Sequence, residues 1–228
     1  MIEIYAFCEG LTEQVFCNQI LRPHLFHLGD GMVHTIRTAN SKHHGMVSRG
    51  GMGKYASLRR QISNELKRHR RPFVFFTTMI DLYGLPKDFP GKVDHVRDPG
   101  NPTPYVQMLE DAFGSDVDDD RFIPYLQLHE YETLLFADPD ALIPSFDNCQ
   151  KAVDSMKAIV AGVPSIEHID DGESTAPSKR IIALLPGYAG QKASAGPQIA
   201  ERIGMTVLRE KCPHFDGWIS KLEQLLEV

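Results

Sequence analysis

The sequence predicts an α/β fold: a doubly wound, mainly parallel sheet flanked by helices and followed by a helical C-terminal extension. Three observations carry this expectation. Short β-prone runs alternate with amphipathic helical stretches up to residue 128, and alternation with long crossovers implies parallel strands. The run Phe73 to Ile80 (FVFFTTMI) is almost wholly apolar, as befits a strand covered on both faces in the middle of a parallel sheet. After His129 the pattern turns helical. The reading divides the chain into a core, 1–137, and an extension, 138–228, packed on that core rather than folding apart from it.

Taken in order, Ile2 to Phe7 is the first strand, stopped by Glu9-Gly10. Thr12 is placed to cap a helix reaching about His27, with Val15, Phe16, Gln19, Ile20 and Leu21 at helical spacing. Met32 to Arg37 reads as a second strand. Thr38 to Gly53, rich in Gly, Ser, Lys and His, reads as a long loop, and its His43-His44 pair lacks the neighbouring Cys or acids that would suggest a metal. A basic amphipathic helix follows from about Tyr55 to His69, with Leu58, Ile62 and Leu66 on one face, and Pro72 ends it. The apolar third strand leads through Asp81 into the turn-rich LYGLPKDFPG. A helix from about Pro104 to Phe113 and an acidic turn, Ser115 to Asp120, precede a fourth strand, Phe122 to Leu128. Helices are then expected at Glu132 to Phe136, Ala152 to Val160, Lys179 to Leu184, Ile199 to Ile203 and Trp218 to Leu226.

Composition narrows the class. A chain of 228 residues with 42% hydrophobic content supports a folded core and excludes wholesale disorder. No apolar run approaches the roughly 20 residues of a membrane helix, and MIEIYAFCEG lacks the basic-then-apolar order of a signal peptide. A soluble, cytoplasmic protein is expected. Cysteines at 8, 17, 149 and 212 form no CxxC pair, which speaks against a zinc ribbon or a disulfide framework. Cys8, within an apolar strand, reads as a small buried hydrophobe. The net charge of −6 argues against a general nucleic-acid-coating protein. It leaves room for a nuclease, because clustered carboxylates attract Mg²⁺ and the ion then meets phosphate. The basic run from Arg59 to Arg71 reads first as a solvated helix face. No P-loop pattern occurs, so any ATP would come with a partner.

Chemistry is suggested by where the acids fall. Glu9 follows the first strand, Asp81 the third, and Glu130 with Glu132 the fourth. Ligands of open parallel sheets bind outside the carboxyl ends of the strands, so acids scattered over some 120 residues of sequence would converge there. Each alone is an ordinary cap or turn residue; the shared placement is the signal. Hard oxygen donors of this kind suit Mg²⁺, held by one or two carboxylates with water and phosphate. His129 beside Glu130 reads equally as a proton shuttle, a metal ligand or a helix cap. Lys179 and Arg180 open a predicted helix, where cations oppose the dipole unless an anion is near, and this favours phosphate contact. Lys192, in the Gly-rich GYAGQKASAG, is either a further phosphate contact or a solvated loop lysine. Arg209 and His214 are read as holding the last helices together, and Trp218 as core.

These residues bring out a family resemblance. FCEGLTE at 7–13 followed by FFTTMIDLYG at 75–84 resembles the Toprim pattern of topoisomerases, DnaG-type primases and OLD-type nucleases. HEYETLLF at 129–136 is similar to the further acidic motif of OLD-type and RloB-like proteins. APSKRI at 176–181, PGY at 186–188 and RxKCPHFxxW at 209–218 resemble a small Toprim-like family often encoded beside AAA- or ABC-type ATPases. The resemblance implies a Toprim-like, Rossmann-like fold and Mg²⁺ (or Mn²⁺) held by Glu9 and Asp81. Tyr83 stands where Toprim domains carry the second aspartate of DxD, so Glu13, Glu130 or Glu132 would complete the site, or the site is weakened. The implied catalytic set is Glu9, Asp81, His129 and Glu130, with Lys179, Arg180 and Lys192 on the substrate. The implied function is a metal-dependent nuclease acting on DNA or RNA, the effector of an ATPase-coupled anti-phage system. The alternative is a non-catalytic module that binds nucleic acid or an ATPase partner; a primase-like phosphotransferase is a lesser option. Self-association is left open.

Overall fold

The alternation of side chains along the strands decides how the molecule is layered. The computed structural model describes residues 1–38, 53–92, 98, 101–169, 172 and 174–227. β1 (Glu3–Cys8), β2 (Met32–Arg37), β3 (Val74–Asp81), β4 (Phe122–Ile123) and β5 (Leu126–Gln127) form one five-stranded sheet in the order β2-β1-β3-β4, with β5 also pairing with β3. Every pairing is parallel. Ile4, Ala6 and Cys8 of β1 and Met79 of β3 enter one hydrophobic cluster, whereas Phe7, Val74, Phe76 and Ile80 enter the other. Period-two alternation thus supplies both faces of the sheet.

One face is covered by α3 (Tyr55–Arg68) and α4 (Thr103–Val117). The other carries α1 (Leu11–Phe16), a π-helical turn (Cys17–Leu21) and α2 (Arg22–Gly29), together with α5 (Gln150–Ala161), α6 (Pro177–Leu184), α7 (Lys192–Ile203), α8 (Met205–Lys211) and α9 (Pro213–Gln224). Residues on both sides of the 137/138 division therefore share one core. Trp218 illustrates the join. Its indole stacks on Tyr125 with ring centroids 4.2 Å apart and its Nε1 donates to Thr77 Oγ1 at 2.8 Å. Arg209 ties α8 to α9 through Asp216, Ser220 and Glu223. No helix among the described residues is long and apolar enough to cross a membrane.

Several sequence expectations are corrected. The single fourth strand is two short pieces, because Pro124 has no N–H to offer the ladder. Thr78 of β3 bridges the gap: its Oγ1 donates to Tyr125 O at 2.7 Å and accepts from Tyr125 N at 2.9 Å. The Gly-rich segment expected as a loop is instead a 3-10 turn (Pro186–Gly190) running into α7. Gly196 inside α7 permits a close approach, since a Cβ there would lie 3.1 Å from Tyr188 Oη and 3.2 Å from the Tyr131 ring. α8 and the 3-10 segment Pro139–Ser145 were not foreseen. The expected loop after β2, with His43 and His44, lies outside the described residues except for its ends. The basic helix is α3. Arg59 pairs with Asp116 at 2.8 Å, and Arg71, beyond the helix end, pairs with Glu3 at 2.7 Å.

Thr78→Val should cost about 1–3 kcal/mol in denaturant unfolding, because it deprives the buried Tyr125 N–H of its acceptor. Thr78→Ser, which keeps the hydroxyl, should stay within about 1.5 kcal/mol of wild type. Equal losses in the two variants would show that the bridge is dispensable.

Candidate functional site

The strand ends bring the acids together through backbone hooks. Cys8 is level with Met79 across β1 and β3, and Glu9 N continues the ladder to Met79 O at 3.1 Å. The Glu9 side chain then turns to the neighbouring strand, where Oε2 accepts the Asp81 N–H at 3.0 Å. Asp81 Oδ1 in turn accepts the Tyr131 N–H at 3.0 Å. Gly10, not Thr12, is the N-cap of α1. Glu13 Oε2 takes the Gly10 N–H at 2.8 Å, and a Cβ on Gly10 would approach that oxygen to 3.0 Å. Glycine therefore leaves room for the carboxylate to reach back to the helix start.

The segment after β5 is folded back to the same edge by His129, whose φ of +62° is left-handed, a conformation that histidine tolerates better than most residues. Its carbonyl accepts the Tyr83 N–H at 3.0 Å. Glu130 then grips the start of α6: Oε1 accepts from Ser178 N, and Oε2 from Ser178 Oγ at 3.0 Å. Glu132 Oε1 accepts from Tyr188 Oη at 3.3 Å and pairs with Lys192 Nζ at 3.0 Å.

Burial of so many acids raises their affinity for protons. Glu13, Glu130 and Glu132 are 6%, 3% and 4% exposed, forming a floor, while Glu9 and Asp81 keep partial contact with solvent. Desolvation, reinforced by Glu130, pushes Glu9 up to about 7 despite its bond from Asp81 N–H. Desolvation likewise pushes Glu13 up to about 7, with Glu9 and Glu132 adding to the effect. Asp81 is held well above the usual carboxylate range by desolvation and by the fields of Glu13, Glu9, Glu132 and Glu130. Glu130 is raised by desolvation and Glu132, against the opposing pull of Ser178 and Lys192. All five acids of the expected set thus stand within one another's fields.

The remaining expected residues are placed differently. The His129 ring is buried, 1% exposed, with Nε2 2.9 Å from the Glu167 carbonyl oxygen, a setting unlike that of a solvent-connected proton shuttle. Glu167 also caps α9, its two oxygens accepting from His214 N at 3.0 Å and Phe215 N at 3.1 Å. Lys179 is exposed on α6, and Arg180 Nε donates to Thr175 O at 2.6 Å. The anion at the start of α6 is Glu130 itself, so the placement of Lys179 and Arg180 does not require an external phosphate. Lys192 is not a loop lysine but the first residue of α7, directed at Glu132. Tyr83 is 52% exposed at the mouth. Burial, Glu130 and Asp81 raise its hydroxyl's proton affinity, with Lys192 opposing. Ser178, Tyr188 and Tyr131 were missed. APSKRI and PGY marked two of these segments without revealing their contact with the acids.

The donor set suits a hard divalent cation: carboxylate oxygens in a shared field, with Glu9 and Asp81 oriented by backbone N–H groups as ligands commonly are. A ready-made cage is another matter. Among the described residues no three His, Cys, Asp or Glu side chains already stand so as to hold a metal ion. Mg²⁺ does not demand one, since one or two carboxylates suffice with water and phosphate.

Fold and site together define an α/β protein with a parallel sheet whose carboxyl edge is lined by buried acids. The model of the family described as Domain of unknown function (DUF4276) matches residues 8–223, and the chain belongs to that family. Neither a search of the curated proteins nor a search of the solved structures returns a match.

The raised carboxyls have a measurable consequence. A buried acid whose folded-state value is raised stabilises the fold most when protonated, and that contribution fades as pH rises through the raised value. For Glu9 and Glu13 the window runs from their ordinary 4.5 to about 7. In metal-free buffer the melting temperature should therefore fall by roughly 10 °C between about pH 5.5 and about pH 8. Glu13→Gln, which can still accept from Gly10, should flatten that slope. An unchanged slope in the variant would contradict the assignment.

Proposed function

We propose that the protein is a Toprim-type, Mg²⁺-dependent nuclease that hydrolyses phosphodiester bonds, working as the effector of an ATPase-coupled anti-phage system. The observation that carries the reading is the Glu9–Asp81 junction. Two carboxylates from neighbouring parallel strands meet at the sheet's carboxyl edge, partly open to solvent, over a floor of three further acids. In this reading Glu9 and Asp81 would hold the ion, with Glu13, Glu130 and Glu132 supplying negative field and orientation. When bound, Mg²⁺ supplies charge neutralisation at a phosphoryl oxygen and a more acidic water. Lys192, paired with Glu132, and Lys179 and Arg180, which follow Ser178 on α6, are the cations this reading assigns to phosphate. The nuclease class and the defence setting come from the Toprim, OLD-type and RloB-like resemblance of the motifs; the sheet and the acid placement support the first of these.

A second reading is a non-catalytic Toprim-like module that binds nucleic acid or an ATPase partner. Two observations favour it: Tyr83 in place of the second DxD aspartate, and the lack of a pre-set three-carboxylate cage among the described residues.

Cleavage of plasmid DNA and of a structured RNA, with Mg²⁺ or Mn²⁺ and with EDTA, separates the two. Wild type should cut only with the metal. Asp81→Asn and Glu9→Gln keep an acceptor for their backbone partners; both should fold and bind but lose at least about a hundredfold in rate. Binding without cutting by wild type would favour the module, and cutting that persists in EDTA would contradict the metal-dependent mechanism. Lys179→Ala and Arg180→Ala should bind more weakly, with a shallower dependence on salt because fewer counterions are released. Unaltered binding at every salt concentration would remove these two residues from the substrate surface.

A further inference from the structure

We propose that Lys192 is a built-in counter-ion of the acidic edge, its ammonium neutralising the acids beside the place a divalent cation takes and leaving when that cation binds. The inference rests on the metal-site reading of the same edge and adds a regulating residue to it.

Lys192 is the first residue of α7, a 12-residue helix with no side-chain cap. A cation there opposes the helix dipole, and some stronger interaction must hold it. That interaction is the acid cluster: Nζ lies 3.0 Å from Glu132 Oε1, and Glu130 and Asp81 also act on it. Burial lowers the ammonium's proton affinity, but these three carboxylates more than offset it, so the lysine stays charged. The floor beneath is fixed. Glu132 is also held by Tyr188, Glu130 by Ser178, and Tyr188 packs where Gly196 of the same α7 leaves space for it. Of this pair the lysine has room to move, since its side chain keeps 35% of its surface in solvent while Glu132 keeps 5%. A flexible four-carbon stem lets the ammonium swing outward without disturbing the helix.

A divalent ion held by Glu9 and Asp81 would meet the ammonium on neighbouring Glu132 as a like charge. The two should therefore compete, and a displaced Lys192 would be left at the mouth, beside Tyr83, free to take a phosphate oxygen. Lysine-for-metal exchange would keep the buried acids neutralised before the ion arrives. It would also make the loaded site ready for an anionic substrate.

Mn²⁺ binding to the full-length protein, read by electron paramagnetic resonance or calorimetry, tests this without reference to cutting. Lys192→Met should bind Mn²⁺ tighter than wild type by about tenfold or more, because the competing charge is gone. Lys192→Arg, which keeps the charge, and Lys211→Met, an exposed control on α8, should match wild type. Should Lys192→Met fail to fold, Lys192→Gln makes the same comparison. Equal affinity in wild type and Lys192→Met would overturn the exchange while leaving the metal site in place, and weaker binding in Lys192→Met would overturn it too. If no form binds Mn²⁺, the metal reading and the exchange fall together.

Discussion

The hydrogen bond from Asp81 N–H to the Glu9 carboxylate is the constraint on which the rest of the edge depends. It ties the end of β1 to the end of β3 by a side chain, after the backbone ladder between them has run out. The pattern then repeats. Asp81 holds Tyr131, Glu130 holds Ser178, and Glu132 meets Tyr188 and Lys192. Each acid fixes the next segment, so loops far apart in sequence are drawn to one place. Their negative charge carries a cost, because buried carboxylates favour protons or cations over bare ionisation.

That cost explains why the surroundings are so heavily braced. On the strand side, Thr77 and Thr78 spend their hydroxyls on Ile123, Tyr125 and Trp218, closing the break made by Pro124. On the helical side, Glu167 caps α9, and His214 Nε2 reaches Glu110 Oε1 at 3.1 Å. These contacts make the C-terminal helices part of the sheet's own support, which suits an arrangement in which Glu130 and Glu132 depend on α6 and α7 for partners.

Local pattern revealed the strands and their acids. FVFFTTMI announces a central parallel strand, and Glu9, Asp81, Glu130 and Glu132 each follow a β-prone run. The rest depended on pairs remote in sequence. Ser178 lies 48 residues from Glu130, and nothing in APSKRI states which acid its hydroxyl serves. Lys192 was visible as a cation, but its Gly-rich segment read as a loop; the approach of Tyr131 and Tyr188 to Gly196 is a tertiary contact that the segment does not announce. Thr12 was the better cap by residue type, and Glu13 displaced it by reaching back to Gly10. His129 drew notice as an imidazole, whereas the backbone corner it makes and its bond to Glu167 belong to tertiary structure.

Anomalous diffraction from a crystal soaked in Mn²⁺ tests the central claim most directly. The account predicts a single strong peak between the Glu9 and Asp81 carboxylates, with Lys192 withdrawn from Glu132. A map with no peak at the strand ends, and Lys192 still paired with Glu132 under saturating Mn²⁺, would contradict it.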